Sequence, residues 1–188
     1  MRLILASKSP RRRQLISQLG FDVTIADLSV DETIDPATPI AMVAETIARR
    51  KASAYPVASL AADEVLVTAD TVVALDGQKL GKPQDRNEAI LMLQRLSGRG
   101  HQVYSGVCLC DGEVSRFFTE TTDVYFRNLR HEEIEHYVDT YRPFDKAGAY
   151  GIQEWIGMVG IERIDGDYYN VVGLPLFALY RELASFRK

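Results

Sequence analysis

"EVLVTADTVVALDGQKL", residues 64–80, decides the fold class. Val65, Leu66 and Val67 precede Thr71, and Val72 and Val73 follow it, which is how a buried strand reads. Asp76-Gly77 then signals a tight hairpin, because both central positions of the favoured two-residue turn need positive φ. Two more Asp-Gly pairs sit in similar settings. One joins "HQVYSGVCLC" (101–110) to "EVSRFFTETTDVYF" (113–126), and the other joins "MVGIERI" (158–164) to "DYYNVV" (167–172). Three such hairpins among about five helical segments predict a mixed sheet rather than a parallel one.

Outward from that strand, "RLILA" (2–6) reads as a short buried strand. Ser9 is the N-cap and Pro10 the first residue of a helix over about 10–19, stopping at Gly20. "FDVTIAD" (21–27) alternates as a strand does, and "LSVDETIDPATP" (28–39) is a polar loop. Thr38 and Pro39 repeat the capping logic for a long helix through about Tyr55. Asp85 and Glu88 form a capping-box pair for a helix ending near Gly98. Residues 130–141 read as helix, 145–157 as a glycine-punctuated loop, and Leu174-Pro175 as the opening of a final helix. No repeat or linker interrupts the pattern, so residues 1–188 are expected to form one α/β domain, with two lobes allowed.

The chain of 188 residues is 46% hydrophobic and 26% charged, enough for a full core. A net charge of only −4 argues against a protein that wraps duplex nucleic acid. The N-terminal apolar run is too brief for a signal peptide, and none approaches the roughly 20 residues that span a bilayer. Cys108 and Cys110 fall on one face of a strand, a poor setting for a disulfide, and three scattered histidines offer no zinc spacing. A reducing cytoplasm fits this usage.

The chemistry concentrates in a few stretches. "SKSPRRRQL" (7–15) places three arginines at the start of a helix, where the dipole is already positive. Helical phase puts Arg12 on the face of Leu15, Ile16 and Leu19, Arg11 on its flank, and Arg13 away toward water. With Ser7, Ser9 and the helix-start N–H groups, Arg12 and Arg11 read as an anion cradle; solvent-snorkelling arginines are the plainer alternative. Asp70 interrupts an apolar strand as a metal ligand, a base toward water, or a turn-forming aspartate. Lys82 in "GKP", seen alone, reads as a surface lysine, the basic run "ARRKA" with Lys51 reads for the most part as a solvated face, and Asp31 and Glu32 lie in a loop. Together, with no Ser-His-Asp or Cys-His pattern, they suggest a phosphate-ester substrate and metal-assisted attack by water.

"LASKSPRR", "TADTVV", "GKP", "LSGRGHQVYSGV", "FDKAGAYGIQ" and "IDGDYYNVVGLP" follow in this order along nearly the whole chain. The set resembles the Maf family, the septum-formation-inhibitor-like nucleotide pyrophosphatases. The resemblance implies a single α/β domain with an elongated mixed sheet and a deep cleft, akin to the inosine-triphosphate pyrophosphatases. It implies hydrolysis of a nucleoside triphosphate to monophosphate and pyrophosphate, with Mg2+ or Mn2+ as cofactor. Asp70 is implied as catalytic carboxylate and proton acceptor. Phosphate or metal roles are implied for Ser7, Arg11, Arg12, Glu32, Lys51 and Lys82, with Glu32 and Asp70 on the metal.

"DKAGAYGIQ" is similar to the subgroup acting on dTTP and UTP, in which Arg12, Thr71 and Gln153 are the specificity positions. A glutamine amide offers a donor beside an acceptor, matching the N3–H and carbonyl edge of uracil or thymine; a flipped amide faces cytosine. The chain departs from the family pattern at Glu154, where glycine is usual, and at Ser105, where threonine is common. Glu154 is expected to repel phosphates or alter the loop. Other readings are a house-cleaning pyrophosphatase for modified nucleotides and a nucleotide-binding regulator of division without turnover. The expected partner is the nucleotide, without stable nucleic acid or membrane; a homodimer is common in the family.

Overall fold

In a computed structural model, residues 1–186 are described. Among the described residues seven strands form one mixed sheet: β1 (Arg2–Ala6), β2 (Asp22–Ala26), β3 (Glu64–Leu75), β4 (Gln78–Leu80), β5 (Gly100–Cys110), β6 (Ser115–Phe126) and β7 (Ile161–Asp165). Their order is β2-β1-β3-β5-β6-β7, with β4 paired to β3. The helices are α1 (Pro10–Ser17), α2 (Ile40–Ala54), α3 (Arg86–Leu96), α4 (His131–Tyr141), α5 (Trp155–Gly160), α6 (Tyr168–Val172) and α7 (Leu176–Leu183). The expected mixed α/β class is borne out.

The chain divides into two compact units. The first comprises Met1–Thr71, Ser105–Glu120 and Gly173–Lys188, and the second comprises Val72–Tyr104 and Thr121–Val172. In the first, β1 pairs in parallel with both β2 and β3, so Leu3, Ile4, Leu5 and Ala6 are all buried. Ser9 caps α1, its hydroxyl accepting the Arg12 N–H at 3.4 Å, with Pro10 as the first helical residue. Ile4, Ala6, Leu66, Cys108 and Cys110 share one apolar cluster. Both cysteines are free and buried, and burial pushes the Cys108 thiol up to about 12.

In the second unit, β3 and β4 form the hairpin expected at Asp76-Gly77, with φ of 52° and 74°. Asp85 caps α3 by accepting the Glu88 N–H at 2.9 Å, although Glu88 reaches back to the N–H of Gln84 rather than of Asp85. The core here gathers Leu75, Leu93, Leu96, Phe126, Ile134 and Tyr137.

Three local expectations are corrected. Thr38 does not cap α2, which starts from Pro39 with no side-chain cap bond. The loop expected over 145–157 ends early, because Trp155–Gly160 is helical. The third hairpin does not form: β7 pairs antiparallel with β6, and "DYYNVV" turns into α6. The cause is a set of polar bonds that a strand pattern cannot display. Asp167 accepts the Tyr169 N–H at 2.8 Å, and buried Asn170 donates to the Val103 carbonyl and to Thr122 Oγ1, each at 3.0 Å.

Candidate active site

Position along β3 sets the centre of the first unit's site. From Val65 to Leu75 every residue is buried except Asp70 and Thr71, which are partly exposed. The carboxylate therefore stands at a break in an otherwise apolar strand, as the sequence implied. Helix α2 is brought against the sheet by two devices. Gly106 on β5 lies so close to α2 that a Cβ would fall 2.1 Å from the Glu45 backbone nitrogen, so only glycine fits. Thr68 Oγ1 donates to the Ala48 carbonyl at 2.7 Å in the buried interface. Lys51 follows Ala48 by one helical turn, and Asp70 follows Thr68 by two on the same face of the strand.

Lys51 is thereby set against Asp70. Its Nζ lies 2.9 Å from Asp70 Oδ1 and 2.8 Å from Glu32 Oε1. Glu32 comes from the loop between β2 and α2, and that loop is tied down by Arg50, whose Nη1 donates to the Thr33 carbonyl at 2.8 Å and also to the Asp31 carbonyl. The basic run of α2 is therefore engaged by the protein even where, as at Arg49, it stays exposed. Arg49 pairs with Glu45 and lies over the Phe117 ring, Arg50 holds the loop, and Lys51 holds the carboxylates. Thr68 and Arg50 are positioning residues that sequence reasoning missed. Arg50 lay inside a noticed basic run, whereas nothing in the sequence marks Thr68.

Arg12 is buried, as helical phase implied, but its guanidinium is largely engaged by the protein. Nε donates to the Gly173 carbonyl at 2.8 Å, Nη1 to the Ala69 carbonyl at 2.9 Å and Nη2 to Thr71 Oγ1 at 2.9 Å. Burial lowers its pKa from the ordinary value, with Asp70 acting in the opposite sense. Thr71 Oγ1 also meets Ser105 Oγ at 2.8 Å, so a serine supplies the hydroxyl at this departure from the family pattern. Arg13 does not simply face water. Its Nε donates to the Ser7 carbonyl at 3.1 Å and its Nη2 to Asp27 at 3.0 Å. Ser7 is buried and its hydroxyl accepts the Ser9 N–H at 3.2 Å, while Arg11 is half-buried on the flank of α1.

Among the described residues no group of three or more His, Cys, Asp or Glu side chains could hold a metal. Glu32 and Asp70 nonetheless converge on one point, now taken by the Lys51 ammonium. Mg2+ binds through one or two carboxylates with phosphate oxygens and retained waters, so this donor pair fits such an ion.

In the second unit, Lys82 is exposed between Gly81 and buried Pro83, and the Gly81 carbonyl accepts the Gly148 N–H at 3.0 Å. Gln153 is exposed and lines a depression of about 500 Å3 together with Ile152, Ile161, Ile164 and Tyr168. Glu154 does not bear an unbalanced charge there. Its Oε1 lies 3.1 Å from Lys146 Nζ, and its Oε2 receives the Tyr137 O–H.

The model of the family described as Maf-like protein matches residues 2–186. A protein of Bacteroides thetaiotaomicron named dTTP/UTP pyrophosphatase is 50% identical over 182 residues, covering 96% of this chain and 94% of its own. Proteins of the same name from Porphyromonas gingivalis and Flavobacterium psychrophilum are 46% and 42% identical, each covering 98% of this chain and 94% of its own. Among solved structures, the Staphylococcus aureus Ham1 protein superposes with a TM-score of 0.48 at 15% identity, covering 67% of this chain and 72% of that one. A family model spanning both units and relatives this similar over nearly their full lengths leave one assignment: the chain belongs to the Maf family.

Proposed function

We propose that this chain is a nucleoside triphosphate pyrophosphatase that hydrolyses dTTP and UTP to the monophosphate and pyrophosphate. The relatives' name supports the substrate class. The observation that carries the chemistry is Asp70, a half-buried carboxylate at a break in β3, held through one oxygen by Lys51. In the reaction, Asp70 accepts a proton from water as the water oxygen bonds to phosphorus. The bond between the α- and β-phosphates breaks, and its electron pair leaves with the departing phosphate oxygen.

Ser7, Arg11, Lys51 and Lys82 are proposed to meet phosphate oxygens, and Gln153 the pyrimidine edge. Arg12 acts chiefly by fixing Thr71 and the Gly173 carbonyl. Glu32 and Asp70 would hold Mg2+ or Mn2+, which supplies neutralisation of phosphate charge.

No helix among the described residues is long and apolar enough to cross a membrane. Two buried free thiols accord with a cytoplasmic setting, and the homodimer common in the family is proposed with it, to be checked by light scattering. The deciding experiment is pyrophosphate release by pure protein from ordinary and modified triphosphates, with and without Mg2+. Metal-dependent release led by dTTP and UTP is expected. Faster turnover of a modified nucleotide would replace the substrate assignment, and no release at all would leave a binding regulator.

A further inference from the structure

The second unit contains a charged cluster that this reaction does not use. Lys146 is buried at the start of the segment 146–154, and its Nζ meets Asp145 Oδ1 at 2.8 Å and Glu154 Oε1 at 3.1 Å. The other Glu154 oxygen takes the O–H of Tyr137, a fully buried residue of α4. The same phenol oxygen accepts the Gly151 N–H at 3.0 Å. The Glu154 N–H in turn donates to the Gly151 carbonyl at 3.0 Å.

Residues 151–154 are thus closed into a ring, with a backbone bond on one side and a relay through Tyr137 and the Glu154 carboxylate on the other. The packing leaves little slack. A Cβ on Gly151 would lie 2.9 Å from Glu154 Cδ, and one on Gly157 would lie 1.8 Å from the Ile152 carbonyl oxygen. Gly151 and Ile152 are buried inside the turn, and Gln153 is exposed on it.

Such a ring has a consequence for base reading. The uracil edge and the cytosine edge present opposite donor and acceptor orders, and an amide free to flip serves either. A fixed turn holds the Gln153 backbone in one place, which limits the positions from which its amide can approach the base edge.

We propose that Glu154 is a positioning residue for Gln153: held between Lys146 and Tyr137, its carboxylate fixes the 151–154 turn and so sets the preference for uracil over cytosine nucleotides. This rests on the pyrimidine-nucleotide reading above. The test compares the parent with Glu154→Ala, Glu154→Gln and Tyr137→Phe in pyrophosphate release from UTP and CTP, alongside amide exchange over 150–154.

In Glu154→Ala, KM for UTP rises about tenfold, kcat falls less than about threefold, and the preference for UTP over CTP drops about tenfold. The amides of 151–153 exchange faster in the same variant. Glu154→Gln keeps an acceptor for Tyr137 but loses the charge facing Lys146, and falls between parent and Glu154→Ala. An unchanged UTP preference in a folded Glu154→Ala overturns the proposal, whether or not exchange quickens. If that variant does not fold, Glu154→Gln and Tyr137→Phe decide on the same readouts. A parent that releases no pyrophosphate from UTP overturns the functional reading and this proposal with it, an outcome the parent assay alone identifies.

Discussion

Each unit places a lysine between two carboxylates, and the two clusters match closely in exposure. Lys51 is 13% exposed, with Glu32 at 54% and Asp70 at 14%; Lys146 is 10% exposed, with Asp145 at 59% and Glu154 at 20%. They differ in how the inner carboxylate is held. Glu154 has both oxygens engaged, one by Lys146 and one by Tyr137, and Tyr137 is bonded to the backbone as well. Asp70 meets Lys51 through Oδ1, and among the described residues no other side chain bonds it. A carboxylate keeps acceptor capacity for water or a cation only where its lone pairs are not spoken for. Residue types therefore do not separate a carboxylate open to further ligands from one fully engaged, whereas the number of its partners does.

The largest break between the clusters should come from Asp70→Asn. The asparagine keeps an oxygen for Lys51 but cannot accept a proton, so kcat/KM for UTP should fall about a thousandfold, some 4 kcal/mol of barrier. The melting temperature should stay close to that of the parent. A loss below tenfold would mean that Asp70 is not the base. Lys146→Met should do the reverse, lowering stability in urea by about 2 kcal/mol, a figure discounted because both its carboxylates retain some water. The matching Lys51→Met removes the side-chain partner of Asp70, itself only 14% exposed, so it should cost about as much stability and in addition lower kcat/KM about a hundredfold. A loss of kcat/KM as large for Lys146→Met as for Lys51→Met would erase the distinction between the clusters. Tyr137→Phe leaves the Gly151 N–H and one Glu154 oxygen without their partner and should cost about 1–2 kcal/mol.

What was legible in the sequence was what is decided locally. Ser9-Pro10, Asp85 and Asp76-Gly77 act within three or four residues, and each does what its residue type implies. Asp70 was visible because a carboxylate inside an apolar run is costly wherever the run folds. The direction of Arg12 followed from helical phase, but its partners did not, since the Ala69 and Gly173 carbonyls belong to segments far along the chain. The same limit hid Arg50, whose acceptors lie in the 31–33 loop, and Asn170, whose bonds to Val103 and Thr122 hold as helix a segment that reads as the second arm of a hairpin. The partners of Glu154 were hidden for a related reason. Its charge was plain, while Lys146 and Tyr137 reach it only once α4 is packed.

The smallest effect is a dependence on pH confined to the second unit. Tyr150, inside the 146–154 segment, bonds His101 Nε2 through its hydroxyl at 2.7 Å. His101 is fully buried and its Nδ1 has no partner among the described residues, so a proton there would place a charge with nothing to receive it. Burial lowers its pKa to about 4, with Asp123 acting in the opposite sense. A histidine whose folded pKa lies below its unfolded value binds fewer protons when folded. Its contribution is therefore whole above about pH 6.5 and is lost as pH falls toward about 4. From pH 6.5 to 5.5 the parent should lose about 1 kcal/mol in urea unfolding through this group. His101→Gln keeps a hydrogen bond for Tyr150 without titrating, and should flatten that slope even if it is less stable at every pH. The amides of 150–154 should loosen on acidification, relative to their intrinsic exchange rates, in the parent and not in the variant. An equal slope in parent and variant would place the acid sensitivity elsewhere and remove His101 from the account of how this turn is held.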